Sequence, residues 1–214
     1  MPRRGTGSRR RRFALLHALA HIELNAIDLA WDLLARFADI GWPAAFFDDW
    51  VGVAADEARH FRLLDQRLRA LGGSYGDLPA HDGLWDAADR TRDDVLARLA
   101  VVPMALEARG LDVTPATVTA LRKAGDTASA DVLQTIYEDE IGHVTVGRRW
   151  FEYLCLQRGV NPRLTWRGLL ERYASGLVRP PFNHPARAAA GMDIGYYDQL
   201  PTGPANNLGL PTKS

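Results

Sequence analysis

The chain of 214 residues is 47% hydrophobic and 24% charged, which is typical of a globular protein and excludes wholesale disorder. Its 26 basic and 26 acidic side chains give zero formal net charge, which argues against a dedicated binder of nucleic acid or of acidic membranes. A single cysteine, Cys155, excludes an intramolecular disulfide and a thiolate metal cluster, and it favours a reducing, cytoplasmic location.

The chain begins with a basic segment, which we assign to residues 1–12 and which contains Arg3, Arg4, Arg9, Arg10, Arg11 and Arg12. The segment superficially resembles a twin-arginine export signal. The apolar residues that follow it are interrupted by His17 and His21 and continue in helical rhythm, which favours a helix over a signal. No charge-free stretch of about 18 apolar residues occurs, so we expect no membrane-spanning helix.

Helix-forming residues dominate the rest of the chain, and strand-like alternation is absent. We predict four long helices: from the arginine cluster to about Ala38, from Pro43 to about Leu71, from about Trp85 to Arg109, and from Asp126 to Arg158. A short helix is expected to begin at Thr114 and Pro115, and another around Trp166 to Ala174. Residues 13–176 are therefore predicted to form an all-α four-helix bundle with a crossover connection. Residues 177–214 are predicted to form an extended, proline-rich tail on the bundle.

Two predicted helices share an unusual motif, Asp-Glu-x-x-His, at residues 56–60 and 139–143. Glutamate and histidine three residues apart lie on one face of a helix. Each motif follows a helix with a lone glutamate in an apolar stripe, where an uncompensated charge is costly. The lone glutamate precedes the motif glutamate by 34 residues in one half and 33 in the other. The two sets are Glu23, Glu57 and His60, and Glu107, Glu140 and His143.

This order of four carboxylates and two imidazoles is the ligand pattern of di-iron and di-manganese carboxylate bundles. We therefore predict two metal ions, with iron favoured and manganese with iron, or zinc, as alternatives. Chance placement on solvated helix faces explains a lone Glu-x-x-His well, but it explains the ordered, equally spaced pair poorly.

The ligand order resembles the ferritin-like di-iron superfamily. Three segments and the tail sequence Pro181-Phe182-Asn183 more closely resemble one uncharacterised bacterial family, domain of unknown function 455. The segments span residues 17–25, 54–61 and 107–112. The resemblance covers nearly the whole chain and implies a fold and a metal site, but no known substrate.

Other residues receive roles from their spacing. Asp56 and Asp139 precede the two histidines by four residues and are candidates to orient an imidazole. Tyr137, one turn before Glu140, is a candidate redox-active phenol, with core packing as the alternative. Pro103 is expected to kink its helix and open room for dioxygen or substrate, and Gly147 and Ala30 to leave space.

The remaining histidines are predicted to serve different roles. His17 and His21 are expected to be hydrogen-bonded on a second packing surface rather than to bind metal. Asn183, His184 and Arg187 are candidates to cover a substrate entrance, with an ordinary surface role as the alternative for His184.

The predicted function is that of a dioxygen-activating oxidase or hydroxylase of a small organic substrate. Electrons must come from a separate donor protein, because no flavin- or nicotinamide-type loop is present in the sequence. Nucleic acid is not an expected partner, with tRNA as a secondary alternative carried by the basic segment. Three alternatives stay open: iron handling or ferroxidase activity, peroxide consumption, and a non-catalytic metal-binding bundle. A homodimer is one assembly left open.

Overall fold

The computed structural model describes residues 4–198, and this part of the chain contains helices and no strands. The all-α prediction is therefore confirmed. The predictions for Arg3 and for the tail beyond residue 198 lie outside the described residues. The helices are α1 (Arg9–Arg36), α2 (Ala44–Ala70), α3 (Gly83–Arg90), α4 (Val95–Val101), a π-helical segment (Val102–Glu107), α5 (Ala108–Lys123), α6 (Thr127–Gln157), α7 (Pro162–Tyr173), α8 (His184–Ala189) and α9 (Ile194–Tyr197).

The first two helices follow their predicted bounds closely. Ser8 caps α1 by accepting a hydrogen bond from the Arg11 backbone N–H, at 3.3 Å. A 3₁₀ turn at Ala38–Ile40 follows α1, and Gly41 ends it with a left-handed φ of 84° that favours glycine. Pro43 stands at the N-cap of α2 rather than in its first turn.

The prediction of one long third helix is wrong, because α3 ends at Arg90 and α4 begins only at Val95. The Thr91 hydroxyl donates to the carbonyl of Ala87, at 2.9 Å, where α3 ends. The Asp94 carboxylate then accepts from the backbone N–H groups of Leu96 and Ala97 and caps α4. These two polar side chains satisfy helix-end groups, which is why a long helix is not continued here.

The predicted end at Arg109 and the predicted start at Thr114 and Pro115 are also wrong, because α5 runs through all three residues. A proline within a helix removes one hydrogen bond, in this case the bond to the carbonyl of Leu111. That carbonyl accepts instead from the side-chain amide of Asn183, at 3.1 Å. A distant side chain thus replaces the missing bond.

The π-helical segment contains Pro103, where the sequence predicted a kink. A Cβ atom added at Gly147 of α6 would lie 2.4 Å from the Pro103 Cβ, so the proline ring occupies the space beside this glycine. The expectation that Gly147 leaves a void is therefore wrong, since Pro103 fills it.

α6 begins just after Asp126, which caps it as predicted by accepting from the Ser129 backbone N–H, at 3.2 Å. The next helix starts four residues earlier than Trp166. Asn161 accepts from the Leu164 backbone N–H, and Pro162 occupies the first turn of α7.

Up to residue 198 the tail is not the extended chain that its prolines suggest. It forms α8 and α9, and Ala190, Met192 and Tyr196 are at most 2% exposed. The tail therefore contributes to a hydrophobic core.

The described chain divides into two compact units. Unit 1 contains the residues up to His81 and Thr114–Glu138, and unit 2 contains Asp82–Val113 and the residues from Asp139 on. In unit 1, α1 packs against α2, and a core cluster is formed by Leu16, Ala20, Leu64, Leu68, Val118, Leu121, Ala130, Leu133 and Ile136. In unit 2, the Trp166 indole donates to the Ala100 carbonyl at 3.1 Å and so joins α7 to α4.

By length and composition, α1 is apolar enough to cross a membrane, with an 18-residue window of mean hydropathy 1.3. The charge count of the sequence had predicted no such helix. The buried core helix of a globular protein passes the same test, and 44% of this window is buried in the structure.

Candidate metal centre

Three of the predicted ligands lie together in unit 1. Glu23 is 6% exposed on α1, and Glu57 and His60 are 1% and 0% exposed on α2. They are buried because each lies on the apolar stripe by which its helix packs against the other. Burying two carboxylates this completely is costly unless a cation or a proton compensates their charge.

The donor atoms of these three side chains converge. His60 Nδ1 lies 3.3 Å from Glu23 Oε2 and 3.4 Å from Glu57 Oε2. One ligand atom from each residue lies within 4.8 Å of the others. Ligands at about 2.1 Å from one metal ion lie about 3 Å apart when they subtend a right angle, so the group needs little adjustment to bind one.

The second half of the predicted ligand set lies in unit 2. His143 Nδ1 is 3.4 Å from Glu140 Oε1 on the same turn of α6, which is the same separation as between His60 and Glu57. Both side chains are buried, with residue exposures of 3% and 9%. Glu107 is half-buried and is the last residue of the π-helical segment. Each Glu-x-x-His motif therefore presents a carboxylate and an imidazole nitrogen side by side.

The donor chemistry fits a divalent first-row metal. Carboxylate oxygen with imidazole nitrogen is the combination that iron, manganese and zinc accept, and the single cysteine lies elsewhere, buried on α6. Within unit 1, two carboxylates and one neutral imidazole carry a formal charge of −2, which one divalent ion would balance.

The residues proposed to support the ligands have partners of their own. Asp56 Oδ1 accepts a hydrogen bond from Arg59 at 2.9 Å on a partly exposed face of α2. Asp139 and Tyr137 are half-buried on α6. That Asp56 and Asp139 orient an imidazole stays a prediction, as does the redox role of the Tyr137 phenol.

His17 and His21 serve the packing role predicted for them. His17 Nε2 accepts from the backbone N–H groups of Gly76 and Leu78, at 3.0 and 3.3 Å. His21 Nδ1 is hydrogen-bonded to the Tyr75 hydroxyl at 2.8 Å, and its Nε2 lies 3.0 Å from the His81 carbonyl. Both histidines thus hold the loop after α2, and the prediction is confirmed.

The three candidates for a substrate entrance lie in and beside α8. Arg187 is fully buried and forms an ion pair with Asp112 at 2.7 Å. Asn183 caps α8, and His184 Nδ1 is hydrogen-bonded to the Tyr197 hydroxyl at 2.9 Å. That Asn183, His184 and Arg187 cover a substrate entrance stays a prediction.

Sequence reasoning missed two buried polar groups of unit 2. Asp112, whose side chain is 0% exposed, is the partner of Arg187, and its only sequence signal was an acid three residues after Arg109. Tyr196 donates a hydrogen bond to Glu152, and burial raises the pKa of its phenol. Neither pairing could be predicted, since 75 and 44 residues separate the partners.

Comparison with known proteins finds relatives of unknown activity. A family described as "Protein of unknown function (DUF455)" matches residues 1–198. A protein of Haemophilus influenzae described as "Uncharacterized protein" is 40% identical over 197 residues, which are 90% of this chain and 68% of that protein. No solved structure matches.

Proposed function

The chain belongs to the family of unknown function DUF455, and we propose that it is a ferritin-like dinuclear metal protein that activates dioxygen. The observation that carries the proposal is the buried group of Glu23, Glu57 and His60, whose donor atoms converge to within 4.8 Å. Burying two carboxylates in this way is costly unless their charge is compensated, and a divalent ion bound by these three side chains would compensate it.

The second metal is proposed to use Glu107, Glu140 and His143. The support is the repetition of one local geometry, because both Glu-x-x-His pairs hold imidazole Nδ1 3.4 Å from a carboxylate oxygen. In this proposal each half-site would hold one divalent ion. Four carboxylates then balance two divalent ions, and the two neutral imidazoles add no charge.

The proposed architecture is a four-helix bundle over residues 13–176, followed by a tail whose described part ends at residue 198. Its helices would be α1, α2, the α4 to α5 region and α6. This arrangement places one lone glutamate and one Glu-x-x-His motif on each of two helix pairs, as ferritin-like carboxylate bundles do.

Iron is the favoured metal, since ferrous ions supply the electrons that dioxygen chemistry requires. The six proposed ligands would hold the ions, and the bound ions would supply the chemistry by which dioxygen reacts with a small organic substrate. Tyr137, one turn before Glu140, is proposed as a phenol that can donate a proton or an electron there. An external donor would return the electrons, and a cytoplasmic location is proposed because a single cysteine fits a reducing compartment.

The test is to purify the chain without added metal, determine its metal content, and then add ferrous iron and dioxygen while recording the optical spectrum. We expect bound iron and a new absorption band in the wild type, and less iron with no such band in Glu57→Gln. Glu138→Gln changes an exposed carboxylate of α6 and is the matched control. A chain that binds no iron, or a Glu57→Gln variant that behaves as wild type, contradicts the proposal.

Dioxygen consumption and iron oxidation, measured on the same purified protein, distinguish an oxidase from a protein that handles iron. An oxidase consumes dioxygen beyond a single turnover only while a donor and a substrate are supplied. A protein that handles iron instead oxidises many ferrous ions per chain, and a storage role further requires a large hollow assembly on size-exclusion chromatography.

A further inference from the structure

The first turn of α5, which begins immediately after Glu107, is bound by one segment of the tail. This tail segment, residues 179–187, is separated from that turn by about 70 residues of sequence. Five hydrogen-bonding groups of the turn are engaged by it: the Ala108 and Leu111 carbonyls, both oxygens of Asp112, and the Arg109 guanidinium.

Asn183 provides the bond that the helix itself cannot make. Pro115 has no N–H to donate to the Leu111 carbonyl, and the Asn183 amide donates to it at 3.1 Å. The Asn183 backbone N–H also donates to Asp112 Oδ1, at 2.9 Å. Asn183 thus fixes this turn of α5 at two points.

Arg187 makes the strongest of the contacts. Its Nε donates to Asp112 Oδ1 at 2.8 Å and its Nη2 to Asp112 Oδ2 at 2.7 Å, which is the bidentate geometry that arginine favours with a carboxylate. Nη2 also lies 3.4 Å from the Ala108 carbonyl oxygen. The guanidinium stands over the rings of Phe182 and Tyr197, which exclude water from the pair.

Arg109 is a donor on α5, and its acceptors lie on the tail segment. Its Nη1 donates to the carbonyl of Arg179 at 2.9 Å and to that of Pro181 at 3.0 Å. The turn and the tail segment are therefore joined by donors on both sides.

This junction lies where the backbone changes from π-helical to α-helical geometry. A π-helical segment places each side chain at a different angle from the α-helix that follows, so the direction of Glu107 depends on where the change occurs. Fixing Ala108, Leu111 and Asp112 fixes that position. We infer that Asn183 and Arg187 are positioning residues for Glu107 as a metal ligand, an inference that rests on the proposed function.

The test uses cobalt(II), whose absorption bands report its ligand geometry, as the metal probe for the full chain. Asn183→Ser keeps a side chain that can cap α8 but removes the amide that binds Leu111. Arg187→Lys keeps the charge but loses the bidentate contact. Arg167→Lys is the control, since Arg167 holds the same tail at the Tyr196 carbonyl and at Asp198.

In wild type and in Arg167→Lys we expect two cobalt ions to bind. In Asn183→Ser and Arg187→Lys we expect the second ion to bind about 10-fold or more weakly, with altered bands, while the first binds unchanged. Glu107→Gln should reproduce the same selective loss.

Two results overturn the inference while the proposed function stands. In the first, Asn183→Ser lowers the midpoint of thermal unfolding but binds both ions as wild type does. In the second, both ions are weakened equally, which indicates general loosening of the fold. A wild-type chain that binds no cobalt and no iron contradicts the proposed function itself, and the inference fails with it.

Discussion

His60 of α2 holds its Nδ1 atom 3.3 Å from Oε2 of Glu23 on α1, and both residues are buried. The sequence separation between them is 37 residues, so this contact is made by helix packing alone. It brings the lone glutamate of an apolar stripe to the imidazole of a Glu-x-x-His motif. The same pairing is the basis of the proposed metal centre.

Gly147 is expected to be intolerant of a side chain. A Cβ there would approach the Pro103 Cβ to 2.4 Å, and in Gly147→Ala we expect the free energy of unfolding to fall by about 1–3 kcal/mol. Gly142→Ala is the matched control on the same helix, since nothing lies within 4 Å of its added Cβ, and it should stabilise by about 0.5–1 kcal/mol. Urea denaturation of both variants decides the point. Equal effects of the two substitutions would contradict this account of the Pro103 contact.

His17 is expected to make stability depend on pH. Burial, followed by the charges of His21 and Arg4, holds the pKa of His17 below 6.5, although Asp77 acts in the opposite direction. The unfolded chain therefore binds this proton more readily, and the free energy of unfolding should fall as pH drops below 6.5.

Protonation of Nε2 would also end its acceptance of the Gly76 and Leu78 N–H groups. In His17→Gln, which retains an acceptor and does not titrate, the decrease between pH 7.5 and 5.5 should be smaller in urea denaturation. If the free energy of unfolding decreases as much in His17→Gln as in the wild type, groups other than His17 cause the pH dependence.

Replacing only one partner of the Arg187–Asp112 ion pair is expected to lower the free energy of unfolding strongly. Both side chains are 0% exposed, so Arg187→Met should lower the free energy of unfolding by about 3–5 kcal/mol by leaving Asp112 buried without its bidentate partner. The double variant Arg187→Met with Asp112→Leu should recover much of that loss. Chemical denaturation of the four proteins measures the coupling, and strictly additive losses would be inconsistent with a direct pair.

Cys155 is expected to be unreactive in the folded protein. It is fully buried, and burial raises the pKa of its thiol to about 11. At pH 8 the thiolate is therefore scarce, and labelling by a disulfide reagent should be slow until urea unfolds the chain. Rapid labelling of the folded protein would contradict this burial.

The sequence was informative where local chemistry decides structure. Ser8, Asp126 and the glycine-rich stretch from Gly72 set the ends of α1, α6 and α2 close to their predicted places. The periodicity of apolar residues also predicted that Glu23 would face inward.

Prediction failed where a distant residue changes the local rule. Pro115 is a good helix start by itself, and in the continuous α5 the Asn183 amide, 72 residues from Leu111, replaces the hydrogen bond that this proline cannot make. The burial of Arg187 has the same origin, because its charge is compensated by Asp112 in a helix far away in sequence. Residue spacing along the chain does not predict such long-range pairs.

The most direct test of the central claim is the number of metal ions bound per chain. Protein purified without added metal and then loaded with ferrous iron under anaerobic conditions should bind two ions by elemental analysis. Glu57→Ala and His143→Ala should each bind fewer, and Glu138→Gln should bind two. If Glu57→Ala and His143→Ala bind as much metal as the wild type, the proposed centre is wrong.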